Sequence, residues 1–289
     1  MKRTDALIAL LDLGDNLPGA RDLRRRSYEL LGLVPGTAVV DVGCGAGRAA
    51  AEMAELGASA VGVDPDERMV AVARERWPSA RYTIATAEKL PFGDAELRGY
   101  RADKVFHVLD DPTQAIDEAR RVLAPRGRVT LVGQDWDTFV IDSDDAALTR
   151  MIVHAAADRV RSPRVVRRSR NLLLDGGFTD VTVEVRTWIF TDRTMVPMLA
   201  DLATKARDGG AISDARAEAW IAEQQHRGQR PEHRERALEG VQRAVDAGLA
   251  VLAGQRTAAG LILGWCLAQA GLNALQAGLT AVVPDRTPV

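Results

Sequence analysis

Two periodicities share the chain. Short β-branched runs at Val39 to Val42 and at Ala60 to Val63 alternate with longer stretches whose apolar residues recur at helical spacing. Runs of this kind that lack in-out alternation read as strands covered on both faces, and from Gly36 to Leu131 the alternation predicts a βαβ series with a parallel sheet. A strand is expected from Arg128 to Gly133 and helices over 4–13, Glu67 to Arg76 and Ala146 to about Arg161. Asn16 to Gly19 closes the first helix with turn chemistry, and a second helix follows with Arg21, Arg24, Arg25, Arg26 and Tyr28. Residues 192 to 245 read as mostly helical, with Pro231 as a break.

The chain is organised around Asp41-Val42-Gly43-Cys44-Gly45-Ala46-Gly47, which leads out of the first strand into an alanine-rich helix. Glycines at 43, 45 and 47 leave no Cβ between backbone and ligand, and the free N–H groups of the next helix point into the crevice. A dinucleotide fingerprint needs its third glycine where Arg48 stands, so the pattern here is D-x-G-x-G-x-G. Asp64 ends the second strand about 20 residues later, where an acid accepts from ribose hydroxyls. The bland alternatives are a purely structural turn and Asp64 as a helix N-cap.

Three later segments, Ala87-Glu88-Lys89-Leu90-Pro91-Phe92, Val105 to Pro112 and Arg121 to Arg128, follow in order. With the glycine turn they resemble class I S-adenosylmethionine (SAM) methyltransferases of the ubiquinone/menaquinone type, over about residues 22 to 190. The resemblance implies an α/β, Rossmann-like fold with a largely parallel central sheet and a helical lid, and SAM as cofactor. It places Asp41, Gly43, Gly45, Gly47 and Asp64 at the cofactor, Pro65 and Met69 along the adenine face, Ala87 and Glu88 against it, and Ala102 and Asp103 near the methionine end. Tyr28, with one of the neighbouring arginines, is expected to reach the SAM carboxylate or the substrate, while any single arginine is more readily read as part of a solvated basic face. Gly176 to Val185 resembles the entry to the sixth strand of that family, whose usual last strand closes the sheet antiparallel. Two departures stand out: Leu97-Arg98 where the family opens strand four with Phe-Asp, and Arg126 in the P-G-G turn.

His107 is the candidate general base, with a structural histidine as the alternative. Trp136 and Phe139 are either an acceptor wall or lid anchors, His154 is a weaker candidate on the lid helix, and His226 and His233 read as surface positions. Asp135 and Asp137 lack a third ligand, so no metal is expected. Ala258 to Pro284 carries no charge; a buried helix packing on the body, or on a second subunit in a homodimer, is expected ahead of a membrane helix.

A length of 289 residues and 46% hydrophobic content permit a large core, and one domain is expected. Its plan is N-terminal helices over 1–35 covering the crevice, a cofactor-binding core over 36–191 with a lid insertion at about 140–170, and a helical cap and C-terminal segment over 192–289. A net charge of -2 argues against nucleic acid as a substrate. Cys44 and Cys266 form no C-x-x-C, and residues 1–20 lack a continuous apolar run, which fits a cytoplasmic protein. The expected activity is methyl transfer to an O, N or C atom of a small organic molecule. Alternatives are a SAM-binding protein without transfer and a nicotinamide-dependent oxidoreductase.

Overall fold

The computed structural model describes residues 3–17, 19–188, 190, 193–229 and 277–285. The chain divides into two compact units instead of the single domain expected. Of the described residues, the first takes those within 3–135, 164–185 and 279–285, and the second those within 136–163, 186–229 and 277–278.

The first unit opens with α1 (Arg3–Asp15) and α2 (Ala20–Leu31) and continues as β1 (Ala38–Val42), α3 (Arg48–Glu55), β2 (Ser59–Asp64), α4 (Glu67–Arg76), β3 (Arg81–Ile84), β4 (Leu97–Asp103), α5 (Pro112–Val122) and β5 (Leu123–Gln134). The sheet order is β3-β2-β1-β4-β5-β7-β6, with β6 (Thr179–Trp188) and β7 (Ala277–Asp285) at one side. Pairs from β3 to β5 are parallel, and β7 runs antiparallel to β5. Val39, Val40 and Val42 are buried, as a strand covered on both faces requires. Strand order reverses between β1 and β4, so their carboxyl ends open the crevice where ligands of such sheets bind.

Local chemistry explains the element ends. Asp66, rather than Asp64, caps α4 by accepting from the N–H groups of Arg68 and Met69. Asp111 caps α5, whose first turn holds Pro112. Strand β5 begins earlier than expected: Leu97 pairs with Leu123 and Gly99 with Arg128, so Ala124 to Gly127 bulge out. Arg126 takes φ 63° there, the left-handed region that the family's glycine would occupy without strain.

The C-terminal expectation is corrected for residues 277–285, which form a strand and not a helix. Thr280, Val282 and Val283 are β-branched, and Gly278 is a poor helix residue. The rest of the charge-free segment, with Pro231, His233 and Cys266, lies outside the described residues. Among the described residues no helix is long and apolar enough to cross a membrane.

The second unit is helical, with α6 (Ala146–Ala157), α8 (Val196–Asp208) and α9 (Asp214–Arg227); α7 (Ser169–Asp175) belongs to the first. Helix α6 stops short of the expected Arg161, and the chain turns away from it with the Arg159 and Val160 N–H groups donating to the Ala156 and Ala157 carbonyls. Trp220 is buried and donates its Nε1–H to Thr149 Oγ1 at 2.9 Å. Arg227 gathers Asp142, Asp144 and Glu223 at 2.6 to 2.8 Å.

Candidate functional site

The glycine turn is compressed from within the protein. A Cβ on Gly43 (φ +64°) would stand 2.3 Å from Val105 Cγ2, and one on Gly47 (φ +89°) would stand 2.7 Å from Ala73 Cβ and the Tyr82 ring. Both positions therefore need glycine for space as well as for conformation. Gly43 to Gly47 then form one wall of an open cleft, whose other walls include Asp41, Arg101, Asp103 and Lys104. Asp12 and Asp15 of α1 edge the cleft, ion-paired to Arg76 at 2.7 Å and Arg48 at 2.9 Å.

Asp64 fastens the turn to β2. Its Oδ2 accepts from the Gly45 N–H and its Oδ1 from the Asp66 N–H, each at 2.9 Å. Burial pushes its pKa up, with those two N–H groups opposing.

Across the cleft floor the β1–β4 register sets Asp41 beside Arg101. The Arg101 guanidinium is buried and donates to Asp41 Oδ1 at 2.7 Å, Asp103 Oδ2 at 2.8 Å and Ser27 Oγ at 2.9 Å. It lies 5.6 Å from the centre of the Tyr28 ring. Burial raises the Asp41 carboxyl and Arg101 offsets this only in part, whereas at Asp103 the nearby Lys104 and Arg101 outweigh burial and hold the group below its ordinary value. Asp103 Oδ1 is buried with no well-formed hydrogen bond; Lys104 Nζ lies 3.2 Å away as an ion-pair partner.

Of the cofactor residues expected from sequence, Asp41, Gly43, Gly45, Gly47 and Asp103 line this cleft, while Tyr28, Asp64, Pro65, Met69, Ala87, Glu88 and Ala102 do not. Side chains alternate along β4, so Ala102 faces the core opposite Arg101 and Asp103. Tyr28 is spent on Glu52, to which its hydroxyl donates at 2.8 Å, and Arg24 grips the same carboxylate from 3.2 Å. Met69 packs with Ile8 and Val72, Ala87 packs in the main core, and Pro65 is exposed.

His107 sits just past β4 in a single 3-10 turn and lines a small indentation with Phe106, Gln134 and Ser169. Burial, helped by Lys104, lowers its pKa to about 4, so the imidazole is neutral at physiological pH. The Gln134 Nε2 is buried without a hydrogen bond among the described residues. Cys44 is pushed well above its ordinary value by burial and stays a thiol.

Trp136, Phe139 and His154 belong to the second unit. The rings of Trp136 and Phe139 are 6.2 Å apart at 59°, with Lys205 Nζ 5.9 Å from the Trp136 ring, and His154 is exposed on α6. Asp135 is held by Arg167. Among the described residues no cluster could hold a metal ion.

Arg101, Ser27 and the Arg24–Glu52 pair were not singled out from sequence. A signal existed for Arg101, because a cation in mid-strand contradicts the apolar composition of a strand buried on both faces.

Residues 40–131 match the family described as "Methyltransferase domain". The chain is 29% identical over 224 residues to a 37.1 kDa protein in transposon TN4556 of Streptomyces fradiae, covering 74% of this chain and 65% of that one. It is 36% identical over 90 residues to demethylmenaquinone methyltransferase of Chlorobaculum parvum, covering 31% of this chain and 37% of that one. The chain thus spans less than two thirds of the length of either relative. Among solved structures, phosphoethanolamine N-methyltransferase 2 of Haemonchus contortus, bound to phosphomonomethylethanolamine and S-adenosylhomocysteine, shares the fold. Its TM-score is 0.57 at 15% identity, covering 99% of this chain and 59% of that one. Residues 40–131 thus carry a methyltransferase domain, and the fold is the Rossmann-like one of the SAM-dependent methyltransferases.

Proposed function

We propose that the protein transfers a methyl group from SAM to an O, N or C atom of a small organic acceptor. The observation that carries the reading is the cleft at the carboxyl ends of β1 and β4, where the D-x-G-x-G-x-G turn faces a buried, under-bonded Asp103 carboxylate oxygen. That donor and acceptor set fits the cofactor: the uncapped N-terminus of α3 at Arg48 and Ala49 on one wall, and on the other an anionic acceptor suited to an ammonium. When bound, SAM supplies a sulfonium-activated methyl group for a one-step displacement, so no protein nucleophile is needed.

The chain's own residues align the partners and exclude water. Asp64 keeps lone pairs for ribose hydroxyls beyond its two N–H bonds. Pro65, Met69, Ala87 and Glu88 are assigned to the adenine by the family resemblance. His107, neutral and beside the buried Gln134 amide, accepts the proton or hydrogen bond of the acceptor's X–H group. The names of two similar proteins, one acting on demethylmenaquinone and one bound to a phosphorylated amine, support a small acceptor.

The test is incubation with methyl-labelled SAM and a panel of phenols, quinols and amines, reading S-adenosylhomocysteine release. Release that depends on one acceptor and falls about 100-fold in His107→Gln fits the reading. Tight SAM binding with no turnover on any acceptor class overturns methyl transfer in favour of a binding protein.

A further inference from the structure

Arg101 presents a problem that methyl transfer does not require. A guanidinium inside a parallel sheet costs several kcal/mol to desolvate, and an apolar residue there would serve the fold as well or better. The Arg101 side chain is 3% exposed and those of Asp41 and Asp103 are 2% and 13% exposed. The two carboxylates share one buried cation, and Lys104 pairs with Asp103 from the rim. Three donations, to Asp41, Asp103 and Ser27, fix the guanidinium from β1, β4 and α2 at once. The tie to Asp103 uses Oδ2 and leaves Oδ1 to the Lys104 ion pair at 3.2 Å. Lys104, which holds that oxygen, has a side chain 40% exposed, so it can leave for solvent at little desolvation cost.

We propose that Arg101 is a positioning residue for the amino-acid end of the cofactor: it clamps Asp41 to Asp103 and orients Asp103 so that its Oδ1 receives the cofactor's ammonium in place of Lys104. Arg101 touches no reacting atom. Its effect passes through Asp103, and Ser27 and the Tyr28 ring hold it from the α2 side. The inference rests on the SAM reading of the cleft.

The test compares two probes by calorimetry on the full chain: S-adenosylhomocysteine, which carries the amino-acid end, and 5′-methylthioadenosine, which lacks it. Arg101→Lys and the double variant Asp41→Asn/Arg101→Met are used together, because the double variant leaves no unpaired Asp41 charge if the single one misfolds. The expected result is affinity for S-adenosylhomocysteine reduced about 10- to 100-fold, the worth of one charge-assisted hydrogen bond, with methylthioadenosine affinity unchanged. Equal weakening of both probes, or of neither, overturns the proposal, since a merely structural role acts on both alike. Failure of the folded wild-type protein to bind either probe would instead remove the SAM reading, and this inference with it.

Discussion

Strands β1 and β4 run side by side, yet their two halves are built on opposite terms. In the first half Val39 lies beside Gly99 and Val40 beside Tyr100, all buried and, but for the Tyr100 hydroxyl, apolar. One step later Asp41 faces Arg101, and a buried ion triad replaces hydrocarbon. Stability alone accounts for the first half, because burial of methyl groups is favourable without further arrangement. The second half stays folded only while every charge keeps its partner, and that dependence marks it as the working end.

The largest effect is expected where the triad is broken. Asp41→Ala leaves the Arg101 guanidinium short of a partner and should cost about 3–5 kcal/mol in urea unfolding. Loss of under 1 kcal/mol would mean that water relieves the charge and that the two halves differ less than described.

Acid should act selectively on the same end. The folded-state pKa of His107 is lowered to about 4 from 6.5, so its neutral form contributes stability fully above pH 6.5 and loses it as pH falls towards 4. The full shift corresponds to about 3 kcal/mol. Unfolding midpoints measured from pH 7 down to 4 should fall more steeply in the wild type than in His107→Gln, and parallel curves would remove the buried-imidazole account.

In the dry half, Val40→Ala should cost about 2 kcal/mol through lost transfer energy and an unfilled cavity. Calorimetry should find its affinity for S-adenosylhomocysteine within about 2-fold of wild type, since the change is far below a tenfold step. The smallest effect sharpens the comparison from the other side. Tyr100 buries a hydroxyl with no hydrogen bond among the described residues, so Tyr100→Phe should raise stability by about 1 kcal/mol.

Legibility in the sequence followed the range of the interactions. The β1 turn, the end of β2 at Asp64 and the span of α4 depend on local periodicity, glycine and capping chemistry, and all could be read directly. Residues 277–285 could not, because a short apolar stretch with glycines fits a buried helix as well as a strand, and pairing with β5 decides it. The two-unit division was hidden because residues 136–163 associate with residues far along the chain. The triad was half visible: Asp41 and Asp103 were named from the family resemblance, but the partner between them appears only when β1 and β4 are set in register.

Calorimetric titration of the wild-type protein with S-adenosylhomocysteine, run beside NAD(H), tests the central claim most directly. The account predicts saturable binding of S-adenosylhomocysteine and none of NAD(H). A folded protein that binds NAD(H) instead, or neither compound, would contradict it.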